Sequence, residues 1–454
     1  MMQHRPLLLA TLSVLFLASA AGAAELVAPK VSELLRPDVP ATGMCAHVGT
    51  TDGALEAELA ATGRWVVHGL TTDEQVAKAV RARLVSGEQI GAASTARVES
   101  FGRLPYPNNF VTLLVADLDG LAAAAPTAVE IDRVLAPYGA AYVRKAGTWT
   151  VKQKALVAGM DGWTHFYHGP DGNPASRDQL VKPGSAVQWI AGRETDMASG
   201  TNLYRLDAGR ALYETVYDRK PMLMCRNAFN GVLLWSVPLD ARPWKSRSLV
   251  MQDGIVYTHL GNQGQSLVAL DAATGKVART YDEAAADKGD SSGKAPSPNV
   301  VLYKGVLYQT APGAVSAIDA KTGALLWRKD ETGKIADLPT VSPDLNRLFY
   351  TTGPTGRHGG RFVWHKYDEV VGLDLTTGKQ AWRSSVGERW TAGLVYSQQR
   401  LFSSSISTRW SRPSPATALR SAPWTARNSG ASCSYPTAPT GSTPRSRPAE
   451  TVCT

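Results

Sequence analysis

The strongest constraint on this fold is a short unit that the chain repeats four times. Each copy has an apolar stretch, a turn of the form Asp-x-x-Thr-Gly or a close variant, and a second strand-like stretch. The shared glycines are Gly231, Gly275, Gly323 and Gly378, which gives spacings of 44, 48 and 55 residues. Periods of this length, with strand-rich sequence between them, indicate β-propeller blades rather than a helical solenoid. The copies occupy residues 225–235, 267–277, 315–327 and 370–382.

Each part of the unit has a physical interpretation. The Asp and Thr side chains can bond the turn backbone, and the Gly accepts a positive φ. Three copies end in tryptophan, at Trp235, Trp327 and Trp382, and we expect these rings to pack between blades. A second hairpin precedes each turn, so that one unit supplies four strands, which make one blade. These hairpins lie at 253–257, 304–308 and 346–350.

The repeat resembles the pyrroloquinoline-quinone-type (PQQ-like) propeller repeat, Ala-x-Asp-x-x-Thr-Gly-x-x-x-Trp. Residues 161–173, Asp-Gly-Trp-Thr-His-Phe-Tyr-His-Gly-Pro-Asp-Gly-Asn, resemble the segment that leads into the propeller in that family. The resemblance covers about residues 160–400. Quinoprotein dehydrogenases, membrane-assembly lipoproteins and other secreted proteins share this repeat, so the resemblance implies a scaffold and not a reaction.

The first residues predict a secretory signal peptide over 1–23. A basic start at His4 and Arg5 precedes the apolar stretch 7–17, and small residues follow at 21–23. No later apolar stretch has the length of a membrane span. We therefore expect a periplasmic or extracellular protein without an integral membrane segment. The four cysteines are too few to be a disulfide framework.

The region between the signal and the repeats predicts a second domain. Residues 46–55 resemble the strand, glycine loop and helix that open a Rossmann-like S-adenosylmethionine methyltransferase. Helices are expected at 54–62 and 72–86, with a strand at 65–68. Two further segments resemble that family's fourth strand and its late helix, Pro-Gly turn and strand, in an order that suits a parallel sheet. They lie at 104–115 and 130–143.

The predicted organisation is therefore multi-domain. An N-terminal α/β Rossmann-like (methyltransferase-like) domain is followed by an all-β, incomplete PQQ-like β-propeller. The expected boundaries are 40–150 for the α/β domain, 151–160 for a linker, and 161–402 for the blades.

The nucleotide loop of the α/β domain departs from the pattern it resembles. The candidate cofactor-binding residues are Gly49, Thr51, Asp52 and Gly53. Thr51 replaces the middle glycine of Gly-x-Gly-x-Gly and adds a side chain where the cofactor needs room. The acid expected after the second strand is replaced by Thr71, and the nearest acid is Asp73. We interpret the loop as vestigial and expect no S-adenosylmethionine binding.

Two histidine pairs allow alternative interpretations. His165 and His168 can share a helix face and bind a metal with Asp161 or Asp171, or they can be polar members of the segment that leads into the propeller. We prefer the second interpretation and assign no metal site and no catalytic residue. His358 and His365 flank a predicted rim loop, which either contacts a ligand or is ordinary solvated loop.

The composition changes abruptly at Ser403. Residues 403–454 are rich in Ser, Arg, Pro, Thr and Ala, and Glu450 is their only acid. They contribute +5 of the formal net charge of +9, so the basic balance does not indicate nucleic acid. The segment is either a genuine disordered or O-glycosylated tail or the product of a reading-frame shift inside a blade. We prefer the frame shift, and expect a disordered tail on a truncated, poorly soluble propeller.

Three functions from different classes remain. The first is a secreted, non-catalytic binding or assembly scaffold that contacts an unknown protein or polysaccharide at the propeller rim. The second is a PQQ- and calcium-dependent dehydrogenase, and the third is an S-adenosylmethionine-dependent methyltransferase. We prefer the first, because no converging carboxylates for calcium can be placed and the nucleotide loop is altered. No cofactor is therefore expected.

Overall fold

The computed structural model describes most of the chain between residues 25 and 419. Within the described residues, no helix has both the length and the apolar character needed to cross a bilayer. The predicted signal peptide, His358 and most of the tail lie outside them. The described residues are 25–182, 184, 187–190, 205–217, 220–239, 249–260, 266–281, 299–311, 313–332, 334–335, 338–353, 365–406 and 417–419.

The N-terminal region is an α/β sheet, which confirms the predicted fold class. Its strands are β1 (Gly43–Val48), β2 (Trp65–Thr71), β3 (Ala93–Arg97), β4 (Val111–Asp117), β5 (Leu135–Lys145) and β6 (Thr148–Gln153). Its helices are α1 (Val31–Leu34), α2 (Ala54–Ala61), α3 (Glu74–Ser86), α4 (Leu118–Leu121) and α5 (Ala128–Val134), with a 3-10 turn at Ala122–Ala124. The strand order is β3-β2-β1-β4-β5-β6. Strands β1 to β5 run parallel, and β6 is antiparallel at the edge.

The sheet order places a topological switch point between β1 and β4, because the chain moves outward from β1 in both directions. Apolar side chains cover both faces of the sheet. Leu59 and Val80 lie in the core on one face, and Leu114 and Ile131 lie in the core on the other. In such sheets the crevice beyond the carboxyl ends of the strands at the switch point is the usual ligand site.

The structure differs from the sequence predictions in the second half of this sheet. Residues 104–110 are not a strand, and β4 begins only at Val111. The expected Pro-Gly turn is absent, because α5 passes directly into β5 and Tyr138 forms an irregularity there with φ +64°. A Cβ at Gly139 would lie 2.8 Å from the carbonyl oxygen of Thr112, so this glycine serves close strand approach rather than a turn. Strand β6 includes 151–153, which the sequence assigned to the linker.

The repeats form antiparallel blades. Blade 1 has β7 (Arg205–Asp207), β8 (Arg210–Tyr217), β9 (Lys220–Asn227) and β10 (Leu233–Pro238). Blade 2 has β11 (Val250–Gln252), β12 (Ile255–Leu260), β13 (Ser266–Asp271) and β14 (Val277–Tyr281). Blade 3 has β15 (Asn299–Tyr303), β16 (Val306–Ala311), β17 (Ala314–Asp319) and β18 (Leu325–Asp330). Each is a four-stranded sheet in chain order, as the repeat predicts.

The last strands form one seven-stranded sheet. They are β19 (Lys334–Ile335), β20 (Thr340–Ser342), β21 (Arg347–Gly353), β22 (His365–Asp374), β23 (Gln380–Ser397), β24 (Arg400–Ile406) and β25 (Thr417–Leu419). The long strand β23 pairs with both β22 and β24, so it completes blade 4 and begins blade 5. Strands β24 and β25 extend beyond the predicted boundary at 402, because backbone pairing needs no alternating side-chain pattern. The rest of the tail lies outside the described residues.

The repeat turn has the geometry that its residues predict. In blade 2 the carboxylate of Asp271 accepts hydrogen bonds from the amides of Ala273 and Thr274 and from the Thr274 hydroxyl, the last at 2.8 Å. Gly275 has φ +70°. Asp319 and Asp374 repeat this arrangement.

The repeat tryptophans pack against the next blade, as predicted for Trp235 and Trp327. A Cβ at Gly275 would lie 2.6 Å from the Trp235 ring, whose Nε1–H donates to the carbonyl of Ala272 at 2.9 Å. Trp327 meets Gly378 in the same way. Gly275 and Gly378 therefore make room for a ring from the preceding blade.

Blade 1 carries a variant turn that joins it to the α/β domain. Asn227 and Asn230 stand where the other copies have Asp and Thr. Asn227 still accepts from two turn amides. The side-chain amide nitrogen of Asn230 donates to the carbonyl oxygen of Phe110 at 2.8 Å and to the hydroxyl of Thr112 at 3.1 Å. The two substitutions thus keep the turn and add donors toward β4.

Candidate functional site

The nucleotide loop lies between β1 and α2, at the carboxyl end of the sheet. Gly49 and Gly53 both have positive φ, +93° and +74°. A Cβ at Gly53 would lie 2.6 Å from Val80, so this glycine allows α3 to pack closely. Thr51 is exposed, and Asp52 accepts from the Ala54 amide and pairs with Arg83 at 3.3 Å. The carboxylate of Asp52 is therefore engaged within the domain.

The acid that follows β2 also has a structural partner. The Asp73 carboxylate caps α3 by accepting from the amides of Gln75 at 2.6 Å and Val76 at 3.1 Å. Thr71 is buried, and its hydroxyl accepts from the Asp73 amide at 3.2 Å. Both side chains are therefore used in local contacts at the start of α3, and neither is a free acid that could bind a ribose.

The crevice at the switch point is filled by the chain's own N-terminal segment. Leu26 packs between two glycines, since a Cβ at Gly49 would lie 3.5 Å from its side chain and one at Gly120 would lie 2.9 Å from it. The amide of Val27 donates to the carboxylate of Asp117 at 2.9 Å. The residues present do not fit an adenosyl group, because an aliphatic side chain and a backbone amide already occupy this place.

Asp117 is the polar centre of that contact. It ends β4, is only 3 % exposed, and also accepts from the Gly120 amide at 3.0 Å and from Arg144 at 3.3 Å. Burial raises the pKa of Asp117, but the hydrogen bonds from Gly120 and Val27 and the charge of Arg144 outweigh it and hold the pKa below the usual value.

A buried ion pair lies beneath the loop. The Nδ1 atom of His47 is 2.8 Å from Oε1 of Glu56, and both side chains are buried. Gly69 makes room for the pair, because a Cβ there would lie 2.4 Å from that carboxylate oxygen. Burial raises the pKa of Glu56, but the charge and hydrogen bond of His47 outweigh this effect and hold the pKa below its usual value. The pair is therefore an interior contact between β1 and α2.

The lead-in segment (161–173) lies along the inner edge of the propeller. Its backbone exchanges hydrogen bonds with the first strand of blade 1 at Leu206, and with that of blade 2 at Met251. Farther along, it forms backbone hydrogen bonds with Val341 in β20 of blade 4 and with Tyr396 in the part of β23 that begins blade 5. Strand β11 also contacts both β7 and β15, so the first strands of these three blades lie side by side at this edge.

His165 supplies the contact to blade 3. Its Nε2 atom lies 3.1 Å from both the carbonyl oxygen and the amide nitrogen of Leu302. Burial and the nearby charge of Arg205 lower the pKa of His165 to about 3, so the ring is neutral at ordinary pH. Five successive blades are thereby tied to one segment of thirteen residues, 161–173.

The remaining predicted site residues do not converge. His165 and His168 are not on a helix; they form an isolated β-bridge, and His168 has φ +68°. His168 pairs with Asp161 at 2.7 Å, and Asp171 accepts from the Asn173 amide. Within the described ranges, no three His, Cys, Asp or Glu side chains come together as metal ligands. His365 begins β22, and His358 lies outside the described residues.

The family model PQQ_2, described as outer membrane protein assembly factor BamB, matches residues 170–337. This chain is a PQQ-like repeat protein. Among curated relatives, it is 28% identical to quinohemoprotein alcohol dehydrogenase ADH IIB of Pseudomonas putida, over 45% of this chain and 29% of that protein. It is 30% identical to the quinohemoprotein alcohol dehydrogenase of Comamonas testosteroni, over 37% of this chain and 24% of that protein.

The PQQ-like repeat protein is also similar to proteins of other classes. It is 29% identical to the serine/threonine-protein kinase AfsK of Streptomyces griseus, over 36% of this chain and 18% of the kinase. The chain thus spans less than a third of the length of these curated relatives. A putative methyltransferase structure from Methanococcus maripaludis is similar at 17% identity and a TM-score of 0.20, covering 22% of this chain and 48% of that one. The repeat is shared across unlike activities, so it identifies the scaffold alone.

Two contacts of this PQQ-like repeat protein were not predicted from its sequence, the joint at Asn230 and the contact of Leu26. The Asn227 and Asn230 joint had a visible signal, because the first repeat departs from Asp-x-x-Thr-Gly. The contact of Leu26 with Gly49 had none, since it joins residues far apart in sequence and involves an unpatterned apolar side chain.

Proposed function

We propose that this protein is a secreted, non-catalytic binding or assembly scaffold that contacts a protein or a polysaccharide at the propeller rim. The lead-in segment carries the proposal, because its residues take the inner-edge hydrogen bonds of five blades. A propeller filled along its inner edge by its own chain offers its loops, rather than its axis, to a partner.

The filled crevice of the α/β domain supports the same proposal. Leu26 and Val27 stand where a methyltransferase would hold its cofactor, and Asp73 is used as a helix cap. The domain then contributes a stable fold and a surface, and not methyl transfer. The matching family model is described as an assembly factor of outer membrane proteins, which supports an assembly role and a location outside the cytoplasm.

A quinone-dependent dehydrogenase is the second candidate, favoured by the names of the relatives. Quinohemoprotein alcohol dehydrogenases match this chain over 37% to 45% of its length. A calcium-bound quinone needs converging oxygen ligands. The described inner edge instead holds His165 against Leu302 and Arg205 against the carbonyl of Leu249, both buried.

One set of experiments separates the two candidates. The full chain is incubated with PQQ and calcium chloride, and dye-linked alcohol oxidation and the visible spectrum are recorded. We expect no quinone-dependent dye reduction; turnover would favour the dehydrogenase.

Binding is measured with two probes, a urea-unfolded outer-membrane β-barrel protein and peptidoglycan fragments. We expect one of them to bind and the interaction to weaken when 355–363 is replaced by Gly-Ser sequence of equal length. The same replacement at 430–438 is the matched control. Failure of both probes to bind would contradict the scaffold proposal.

A further inference from the structure

The crevice at the switch point of the α/β domain has the features of a peptide site. Its walls are Gly49 and Gly120. A Cβ at Gly120 would lie 2.9 Å from Leu26 and leave it no room, and one at Gly49 would lie in van der Waals contact with Leu26 at 3.5 Å. Its polar group is Asp117, which is 3 % exposed and receives the amide of Val27. A small apolar slot next to a buried acceptor suits an aliphatic side chain followed by a peptide N–H.

The segment in the crevice is bound as an extended peptide is bound. Residues 25–30 precede α1 and belong to no helix or strand. Leu26 is half-buried against the domain, Val27 is 43% exposed, and Pro29 is buried. Recognition through backbone hydrogen bonds and a few inward side chains is how proteins hold extended peptides.

The same features exclude a nucleoside. The base and ribose would have to displace Leu26 from between two glycines and take over the Asp117 acceptor. The ribose-binding acid is absent as well, since Thr71 is buried and Asp73 caps α3. The crevice is therefore suited to a peptide in place of a nucleoside, and is not simply a nucleoside site that has lost its ligand.

We propose that the switch-point crevice is a binding site for an extended aliphatic peptide, and that residues 25–29 are its ligand in cis. This site lies in the α/β domain and does not depend on the rim binding proposed above. Its ligand is defined by one leucine side chain and by the N–H of the following residue.

Complementation in trans tests the proposal. In the full chain lacking residues 25–29, we expect a lower Tm. Added peptide Glu-Leu-Val-Ala-Pro should bind, as measured by calorimetry, and raise the Tm again. The matched control peptide carries N-methylvaline at the position of Val27 and cannot donate to Asp117. We expect it to bind about tenfold to a hundredfold more weakly, as expected for a lost hydrogen bond to a charged group.

A second variant covers failure of the deleted chain to fold. Val27→Pro keeps Leu26 and removes the amide donor to Asp117, so we expect faster proteolysis of the N-terminal segment while the circular dichroism spectrum is unchanged. Equal binding of the two peptides, or no binding of either to a folded deletion variant, would overturn the proposal. Binding of S-adenosylmethionine to the deletion variant in preference to the peptide would also overturn it.

Discussion

Alanine substitutions at two glycines of blade 2 distinguish the stability cost of backbone strain from that of disturbed side-chain packing. Gly254 and Gly275 have φ +78° and +70°, so alanine is strained at both. A Cβ at Gly254 meets nothing within 4 Å, whereas one at Gly275 would lie 2.6 Å from the Trp235 ring. We expect Gly254→Ala to cost about 1 kcal/mol. Gly275→Ala should cost about 1–3 kcal/mol more, because the ring must move.

Urea unfolding of both variants measures this difference. Equal losses would show that the tryptophan contact contributes nothing beyond the conformation of the turn.

The buried pair of Glu56 and His47 predicts a pH dependence. The folded-state pKa of Glu56 is lowered, so its contribution to stability is present above the unfolded pKa of about 4.3 and is lost as the pH falls through the folded value. Glu56→Gln should therefore reduce the acid-dependent loss of stability. Glu58→Gln, an exposed position on the same helix, is the matched control. Urea midpoints between pH 7 and pH 3 check this, and identical acid limbs in the three proteins would contradict it.

At the residue scale, local chemistry was predictable and distant contacts were not. Asp271, Thr274 and Gly275 act within one turn, so their roles follow from their spacing. The acid at Asp73 was noticed, but its use as a cap depends on where α3 begins. Leu26 could not be assigned, because its partners come from other parts of the sheet.

At the scale of elements, the lead-in segment acts as a common support for the blades. It bonds the inner strands through amides that belong to five different blades. We expect His165→Ala to speed hydrogen exchange most at Leu302 and, as the segment lifts, also at Met251 and Val341. The reason is that the substitution leaves the Leu302 amide without its partner and opens a cavity.

The matched control for this prediction is Gly305→Ala in the same blade. Gly305 has φ +76° and open space around it, so the substitution strains blade 3 without touching the segment. Faster exchange confined to Leu302 in the His165 variant would show five independent contacts instead of one support.

Elements were predicted well where periodicity or a turn defined them. The repeat gave blades 2 and 3 strand by strand, and α2 and α3 lie close to their predicted positions. Strands β3 and β6 were missed, since neither carries a strong pattern and β6 is a half-exposed edge strand. The two histidines of the lead-in segment were spaced for a helix, but bonds to separate blades hold that segment irregular.

At the scale of the whole molecule, the variant repeat in blade 1 decides how the α/β domain is attached. The division at 151–160 remains a prediction, but Asn230 directly bonds Phe110 and Thr112 across it. The sequence contained this information only as an exception to the repeat. The asparagine at position 230 can be interpreted only when the structure shows that Phe110 and Thr112 lie opposite it.

Asn230→Thr restores the repeat residue at this position and removes the joint. The new hydroxyl can bond Asn227 as Thr274 bonds Asp271, so the turn should persist. The donors to Phe110 and Thr112 are lost, and we expect about 1–3 kcal/mol less stability in the α/β domain, because buried acceptors lose their partner. Calorimetry should then show this domain unfolding at a lower temperature than it does in the unaltered protein.

The control makes the reverse substitution at a turn that, among the described residues, is bonded to no second domain. Thr322 occupies the matching position in blade 3, and its hydroxyl donates to Asp319. Thr322→Asn should change stability by less than about 1 kcal/mol, because the Asp319 carboxylate keeps its bonds to the turn amides. A double-mutant cycle of Asn230→Thr with Thr112→Val measures the joint itself. No coupling in that cycle, together with equal effects at 230 and 322, would mean that the two asparagines serve only their own turn.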